Sequence, residues 1–206
     1  MRTSIIDDLN INFTMGFLGS AISHRALWEK CIAHGRPILI FEDDVFLPDT
    51  LQDWIGPALD ELAGGCDIVF LGYNRDAILS VGYGAGQWCN IAFEPPSADF
   101  DEEALQHSRG SRAKSHCLLD TRLVWGSTAY AITPASAAAL LLHCFPLSNK
   151  RAVRMYGSGR QLVPYGLDGM VNLAIQLGQI RARVVFPPLA IGPNDQEDSD
   201  NYNRPG

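Results

Sequence analysis

"PILIFEDDVFLPD", residues 37–49, decides how the rest of this chain is read. Residues 37–41 have the make-up of a short strand covered on both faces, a continuous apolar run. The run ends on Glu42, Asp43 and Asp44, and apolar residues resume at Val45. Three adjacent carboxylates repel one another and hold water, so they need either N–H groups to cap or a cation to bind. In extended chain, residues two apart share a side, which predicts that Glu42 and Asp44 converge while Asp43 turns away. Two convergent carboxylates suit a hard divalent cation that prefers oxygen and keeps waters for a phosphate to replace. An acidic turn capping nearby backbone is the competing reading.

Working outward, residues 19–35 place Ile22, Ala26, Leu27 and Ala33 at near-helical spacing, with Gly35 as a stop. Residues 49–65 also look helical, with Pro57 expected to break or kink them. "DIVFLGY" (67–73) is a second buried strand. Helix and strand in alternation predict a layered α/β fold. Residues 80–116 are rich in Gly, Ser, Pro and charge, and predict a long irregular insertion with room for one short strand. Order returns at 126–145: a strand, a Thr133 cap, Pro134 in the first turn and an Ala/Leu helix. A helix over 166–177 and a strand over 182–186 follow. The expected organisation is one domain, 1–192, and a polar, loosely ordered tail, 193–206.

The formal net charge of -7 and a pI near 5.1 argue against wholesale nucleic-acid binding, though not against a local anionic ligand. Five widely spaced cysteines, with no C-x-x-C pair, read as free thiols in a reducing compartment. No secretory leader and no membrane-length apolar run is visible, which predicts a cytoplasmic protein. "GYGAGQ" (82–87) lacks the full dinucleotide-binding pattern, and there is no P-loop.

"FLGSAISHRALWEKC" followed by "ILIFEDDVFL" resembles glycosyltransferase family 25, whose members carry an SH-containing helix before a strand ending in EDDV. Gly19, Ser23, His24, Leu27, Trp28, Glu42, Asp43, Asp44 and Val45 match in order and spacing. "GSTAYAITPASAAALL" is similar to a further family segment, "VPYGLDGMVN" to its P-x-D segment, and "FPPLAIG" with "DSD" to its closing proline strand. The resemblance implies a GT-A-like, Rossmann-type sheet, mostly parallel, binding a UDP-hexose at its strand ends. It also implies that Glu42 and Asp44 hold Mn²⁺ or Mg²⁺, and that Ser23, His24, Glu42, Asp43, Ser127 and Thr128 contact the donor. Inverting transfer needs a general base, for which Asp168 is the candidate; its rival role is a helix N-cap. His24 is either a phosphate contact or a packed helical histidine, and Ser127 and Thr128 are either sugar contacts or small residues opening a strand.

Arg109, Arg112 and Lys114, with Lys150, Arg151, Arg154 and Arg160, read as a lid over the diphosphate, as solvated charge, or as contacts to anionic lipid at the inner face of the membrane. The implied partners are a glycan or glycolipid acceptor, such as a lipooligosaccharide, and no nucleic acid, with room for a homo-oligomer. The family's opening I-x-x-INL strand has no counterpart before Gly16. That predicts an N-terminally truncated domain with an open sheet edge and a weakened uridine site. The alternatives to an active galactosyltransferase are a non-catalytic glycosyltransferase-fold binding module and, more distantly, a phosphohydrolase.

Overall fold

The computed structural model describes residues 4–7, 13–93, 116–164 and 166–192. Helix α1 spans Met15–His34, starting four residues before Gly19. Thr14 caps it by accepting from the Phe17 amide, and Gly35, at φ 66°, closes it in the left-handed conformation. Its buried stripe is Ala21, His24, Trp28 and Cys31, at the three- and four-residue steps of one helix face. Strand β1 is Ile38–Phe41. After a 3₁₀ turn, α2 runs from Gln52 to Ala63 and passes through Pro57 without ending, so of the expected break or kink the break does not occur. Trp54, Ala58 and Leu62 seat this helix on the sheet.

Strand β2, Ile68–Gly72, is buried along its whole length. Strands β3 (Leu79–Gly84) and β4 (Gln87–Ile91) form a hairpin turned through Ala85 and Gly86, both at positive φ. Strand β5 is Cys117–Leu123 and β6 is Ala129–Ile132. The expected irregular insertion over 80–116 is therefore corrected: its first part is ordered sheet, while 94–115 lies outside the described residues. Helix α3, Pro134–Cys144, carries the expected Thr133 cap, which accepts from the Ser136 amide. A two-residue pairing of β7 (Val153–Arg154) with β8 (Gln161–Leu162) precedes α4, Leu167–Gln176, and β9, Ala182–Phe186.

The main sheet has seven strands in the order β1-β6-β2-β9-β5-β3-β4. Only β2 and β9 pair in parallel; the other neighbours are antiparallel. The fold is α/β, but its sheet is mixed and largely antiparallel, which corrects the expected mostly parallel one. The reason is specific. β1, α2 and β2 do form a unit whose two strands run the same way, but β6 inserts between them in the opposite sense. β1 is consequently an edge strand among the described residues, and only Ile40 of its four residues is fully buried.

Strand alternation builds two cores. Ile68 and Phe70, with Tyr130 and Ile132, face α1, α3 and α4 and pack on Trp28, Leu140 and Met170. Val69 and Leu71, with Ala129 and Ala131, face α2 and pack on Trp54 and Leu62. Small alanines on the α2 side of β6 leave room for Trp54; the large Tyr130 fills the other side. A buried aromatic such as Phe70 contributes enough that truncation to alanine costs about 3–5 kcal/mol.

Candidate active site

Register places the site. Ala129 at the start of β6 lies opposite both Phe41 and Gly72, so the carboxyl ends of β1 and β2 flank the amino end of β6. Glu42 is fixed there by its amide, which donates to the Thr128 carbonyl at 2.9 Å. The segment after β9 joins them through bridges of Gly72 with Ala190 and Phe46 with Ile191. Only glycine fits at 72, because a Cβ there would lie 2.6 Å from both the Ala190 carbonyl and Thr128 Oγ1.

The amino end of α4 completes the cluster. Asp168 sits in its first turn, while the N-cap position is Gly166. Asp168 Oδ1 accepts from the Gly169 amide at 2.7 Å, and Oδ2 accepts from the Gly126 amide at 3.4 Å. Gly126 adopts φ 79°, and a Cβ there would lie 2.2 Å from Asn74 Oδ1, so that loop also requires glycine. The Asn74 amide in turn donates to the Trp125 carbonyl at 2.8 Å. Thus Asp168, remote in sequence, is tied to the loop that leads into β6.

Electrostatics links these carboxylates. Burial pushes the Asp168 carboxyl above the ordinary aspartate range, the amides of Gly169 and Gly126 pull it down, and the charge of Glu42 pushes it up. Asp44 is also raised, first by desolvation and then by Glu42, with Asp43 a smaller contributor. Glu42 is therefore the charge felt by both. The strand ends at Phe41 and Asp43–Asp44 form a turn, so extended-chain alternation does not order the acidic trio. Asp44 is set apart instead by its crowding against Glu42.

His24 is buried in α1. Its Nδ1 lies 2.7 Å from the Tyr130 hydroxyl, which also accepts from Trp28 Nε1 at 2.8 Å, and its Nε2 lies 3.8 Å from Glu42 Oε1. Ser23 is exposed and donates to the Gly19 carbonyl of its own helix at 3.0 Å. Ser127 is half-buried beside Gly126. Thr128 is buried, and its Oγ1 has no hydrogen-bond partner, an orphaned polar atom in the strand-end cluster. Asp43 is exposed. Sequence reasoning missed Tyr130, which joins α1 to β6, and Asn74; the only sign of the first was an aromatic inside "GSTAYAI". Arg109, Arg112 and Lys114 lie outside the described residues, and Lys150 is 2.5 Å from Asp7 Oδ2.

Among the described residues no set of three or more His, Cys, Asp or Glu is grouped to hold a metal ion alone. Glu42 and Asp44 do raise the local negative charge, and no cationic side chain pairs with Asp44 among the described residues. Two oxygen donors with the remaining positions left to water and phosphate is the binding mode of Mg²⁺-like ions. Glu42 and Asp44 are the residues that would hold such an ion, with water and substrate oxygens completing its coordination.

No helix among the described residues is long and apolar enough to cross a membrane. No curated protein matches the chain. The family model described as "Glycosyltransferase family 25 (LPS biosynthesis protein)" matches residues 5–152, which takes in His24, the acidic trio and Thr128 and leaves Asp168 beyond its end. With most of its length under that match, and the matched acidic and SH segments gathered at one end of the sheet, the chain belongs to glycosyltransferase family 25 and is a glycosyltransferase.

Proposed function

We propose that the protein is a metal-dependent, inverting hexosyltransferase with a GT-A-like donor site, moving galactose from UDP-galactose to a lipooligosaccharide or related cell-surface glycan. The observation that carries this reading is that Glu42, bonded through its amide to Thr128, and Asp168, bonded to the Gly126 amide, are both anchored to the segment entering β6 although they lie far apart in sequence. Glu42 and Asp44 would hold the cation, Mn²⁺ or Mg²⁺, through carboxylate oxygens. When bound, the ion supplies positive charge against the donor diphosphate and the departing UDP. Ser23, His24, Asp43, Ser127 and Thr128 lie in the segments that would surround the donor, and Thr128 Oγ1 has an unused hydrogen bond to offer.

Asp168 is the proposed base. Its buried carboxylate is destabilised as an anion, and it therefore takes up a proton readily. The acceptor hydroxyl gives its proton to Asp168 as its oxygen bonds to the anomeric carbon. The bond from that carbon to the diphosphate oxygen breaks on the opposite side, and its electron pair leaves with UDP. Two like charges near one another favour this transfer, because neutralising Asp168 relieves its repulsion with Glu42.

The test is transfer of labelled galactose from UDP-galactose to lipooligosaccharide acceptors, with Mn²⁺ and with chelator. Metal-dependent labelled product supports the proposal. UDP binding without any transfer or donor hydrolysis would favour the second reading, a binding module of the same fold. The observation in that reading's favour is that β1, beside Glu42, is an edge strand among the described residues.

A further inference from the structure

Toward the end of the strand order away from β1, two guanidinium groups share one aromatic ring. Arg122 of β5 lies with its guanidinium carbon 3.7 Å from the centre of the Tyr156 ring and 4.7 Å from that of Trp88. Arg154 lies 5.6 Å from the same Tyr156 ring. Arg122 is held in place: its Nε donates to Ser80 Oγ at 3.0 Å, and Trp88 is itself packed on Gly82, whose added Cβ would lie 3.4 Å from the indole. The backbone is clamped too. Gln176 at the end of α4 accepts from the Arg154 amide and donates to the Arg154 carbonyl, both at 2.9 Å.

Neither arginine meets a carboxylate among the described residues, nor do the exposed Arg151 and Arg160 nearby in the chain. Residues 150–163 carry Lys150, Arg151, Arg154 and Arg160 and no acidic residue, in a chain of net charge -7. Two cations fixed around one ring, with no carboxylate paired to either among the described residues, repel each other. An anion placed between them relieves that repulsion, and Arg122, with its Nε already used, keeps its terminal nitrogens for a bidentate acid group. Stacking on the rings keeps the guanidinium planar and oriented before any ligand arrives.

We infer that Arg122 and Arg154, gathered around Tyr156, bind an acidic group, a carboxylate or phosphate, on the acceptor glycan. This rests on the proposed transfer to a glycan. Asp168 and Gln176 stand at the two ends of α4, eight residues apart, a rise of about 12 Å. An oligosaccharide a few sugars long spans that distance, so an acid group at this patch would anchor a chain whose end reaches Asp168. A membrane surface is the less favoured occupant, because the Trp88 and Tyr156 rings each have a face taken by the Arg122 guanidinium.

The test is binding of trigalacturonate, which carries three carboxylates, against neutral galactotriose. Tryptophan emission reports it, since Trp88 is 37% exposed while Trp28, Trp54 and Trp125 are at most 8% exposed. Trigalacturonate should bind at least about tenfold more tightly than galactotriose, and Arg154→Gln should weaken it about tenfold, the scale of one charge-assisted hydrogen bond. Arg154 is exposed, so this variant should keep its fold and its Mn²⁺-dependent UDP binding. Equal binding of the two trisaccharides, or no effect of Arg154→Gln, would overturn the inference. So would phosphatidylglycerol vesicles shifting Trp88 emission where trigalacturonate does not, which would make the patch a membrane contact. If the protein binds trigalacturonate through Arg154 but shows no UDP binding, this anion site stands and the proposed donor site fails.

Discussion

The Tyr130 hydroxyl lies 2.7 Å from His24 Nδ1 while accepting a hydrogen bond from Trp28 Nε1. Trp28 can only donate, so the single proton of the buried Tyr130 hydroxyl is left for His24. The tautomer that satisfies every group has His24 Nδ1 accepting from Tyr130 and its proton on Nε2, which faces Glu42 at 3.8 Å. His24 is thereby a positioning residue for Glu42, held by a partner in β6.

Tyr130→Phe should leave the Trp28 N–H buried without an acceptor. The expected loss of stability is about 1–3 kcal/mol. Freed of Tyr130, His24 should hold Glu42 less well, raising KM for the donor more than it lowers kcat. Calorimetry and donor-dependent kinetics measure the two effects, and an unchanged melting temperature would contradict this network.

Asp168→Asn separates catalysis from capping. Burial raises the folded-state carboxyl above its unfolded value, so the folded protein binds the proton more tightly. Stability from this group is present at low pH and is lost as pH rises from the unfolded value of about 3.8 through the folded one. The amide side chain keeps one oxygen for the close Gly169 amide, gives up the longer 3.4 Å contact with the Gly126 amide, and removes the buried charge. The variant should therefore melt no lower than wild type at pH 7 and lose the acid-range decline, while transfer falls by about 10² or more. Earlier melting with normal transfer would make Asp168 a structural cap.

Asp44→Asn should abolish Mn²⁺-dependent UDP binding, and Asp43→Asn should do much less. The ground is electrostatic: Asp44 is the aspartate crowded by Glu42, and Asp43 contributes least to that crowding. Isothermal titration of UDP with and without Mn²⁺ reads both variants. Equal losses, with the fold intact by circular dichroism, would refute the assignment of the cation to Asp44.

The place of β1 as an edge strand among the described residues, beside Glu42, predicts poor selection of the base. In the proposed donor site the acidic trio would hold the cation and the cation the diphosphate, whereas a wall for uracil would need structure beyond β1, where no strand pairs among the described residues. UDP and GDP should bind within about tenfold of each other with Mn²⁺ present. Strong rejection of GDP would mean that another segment supplies the wall.

Local chemistry was legible in the residues alone. The apolar runs of β2 and β9, the Thr133 cap with Pro134, the Gly35 stop and the α4 helix all report periods and caps that a few neighbouring residues determine. The acidic trio after β1 and the SH helix likewise carried the family, as the match over residues 5–152 bears out. Strand order was not legible, because it depends on pairing between distant segments. Nothing in residues 38–72 shows that β6 enters between β1 and β2, and that insertion turned an expected parallel sheet into a mixed one and left β1 at an edge. Strand β5 was missed because Asp120, Thr121 and Arg122 interrupt its apolar pattern; its pairing with β3 and β9 on either side holds it in the sheet. The same long-range pairing brought Tyr130 to His24 and Asp168 to Gly126. Composition and periodicity determine which segments become helix or strand; backbone hydrogen bonds and packing across the whole chain decide which side chains meet.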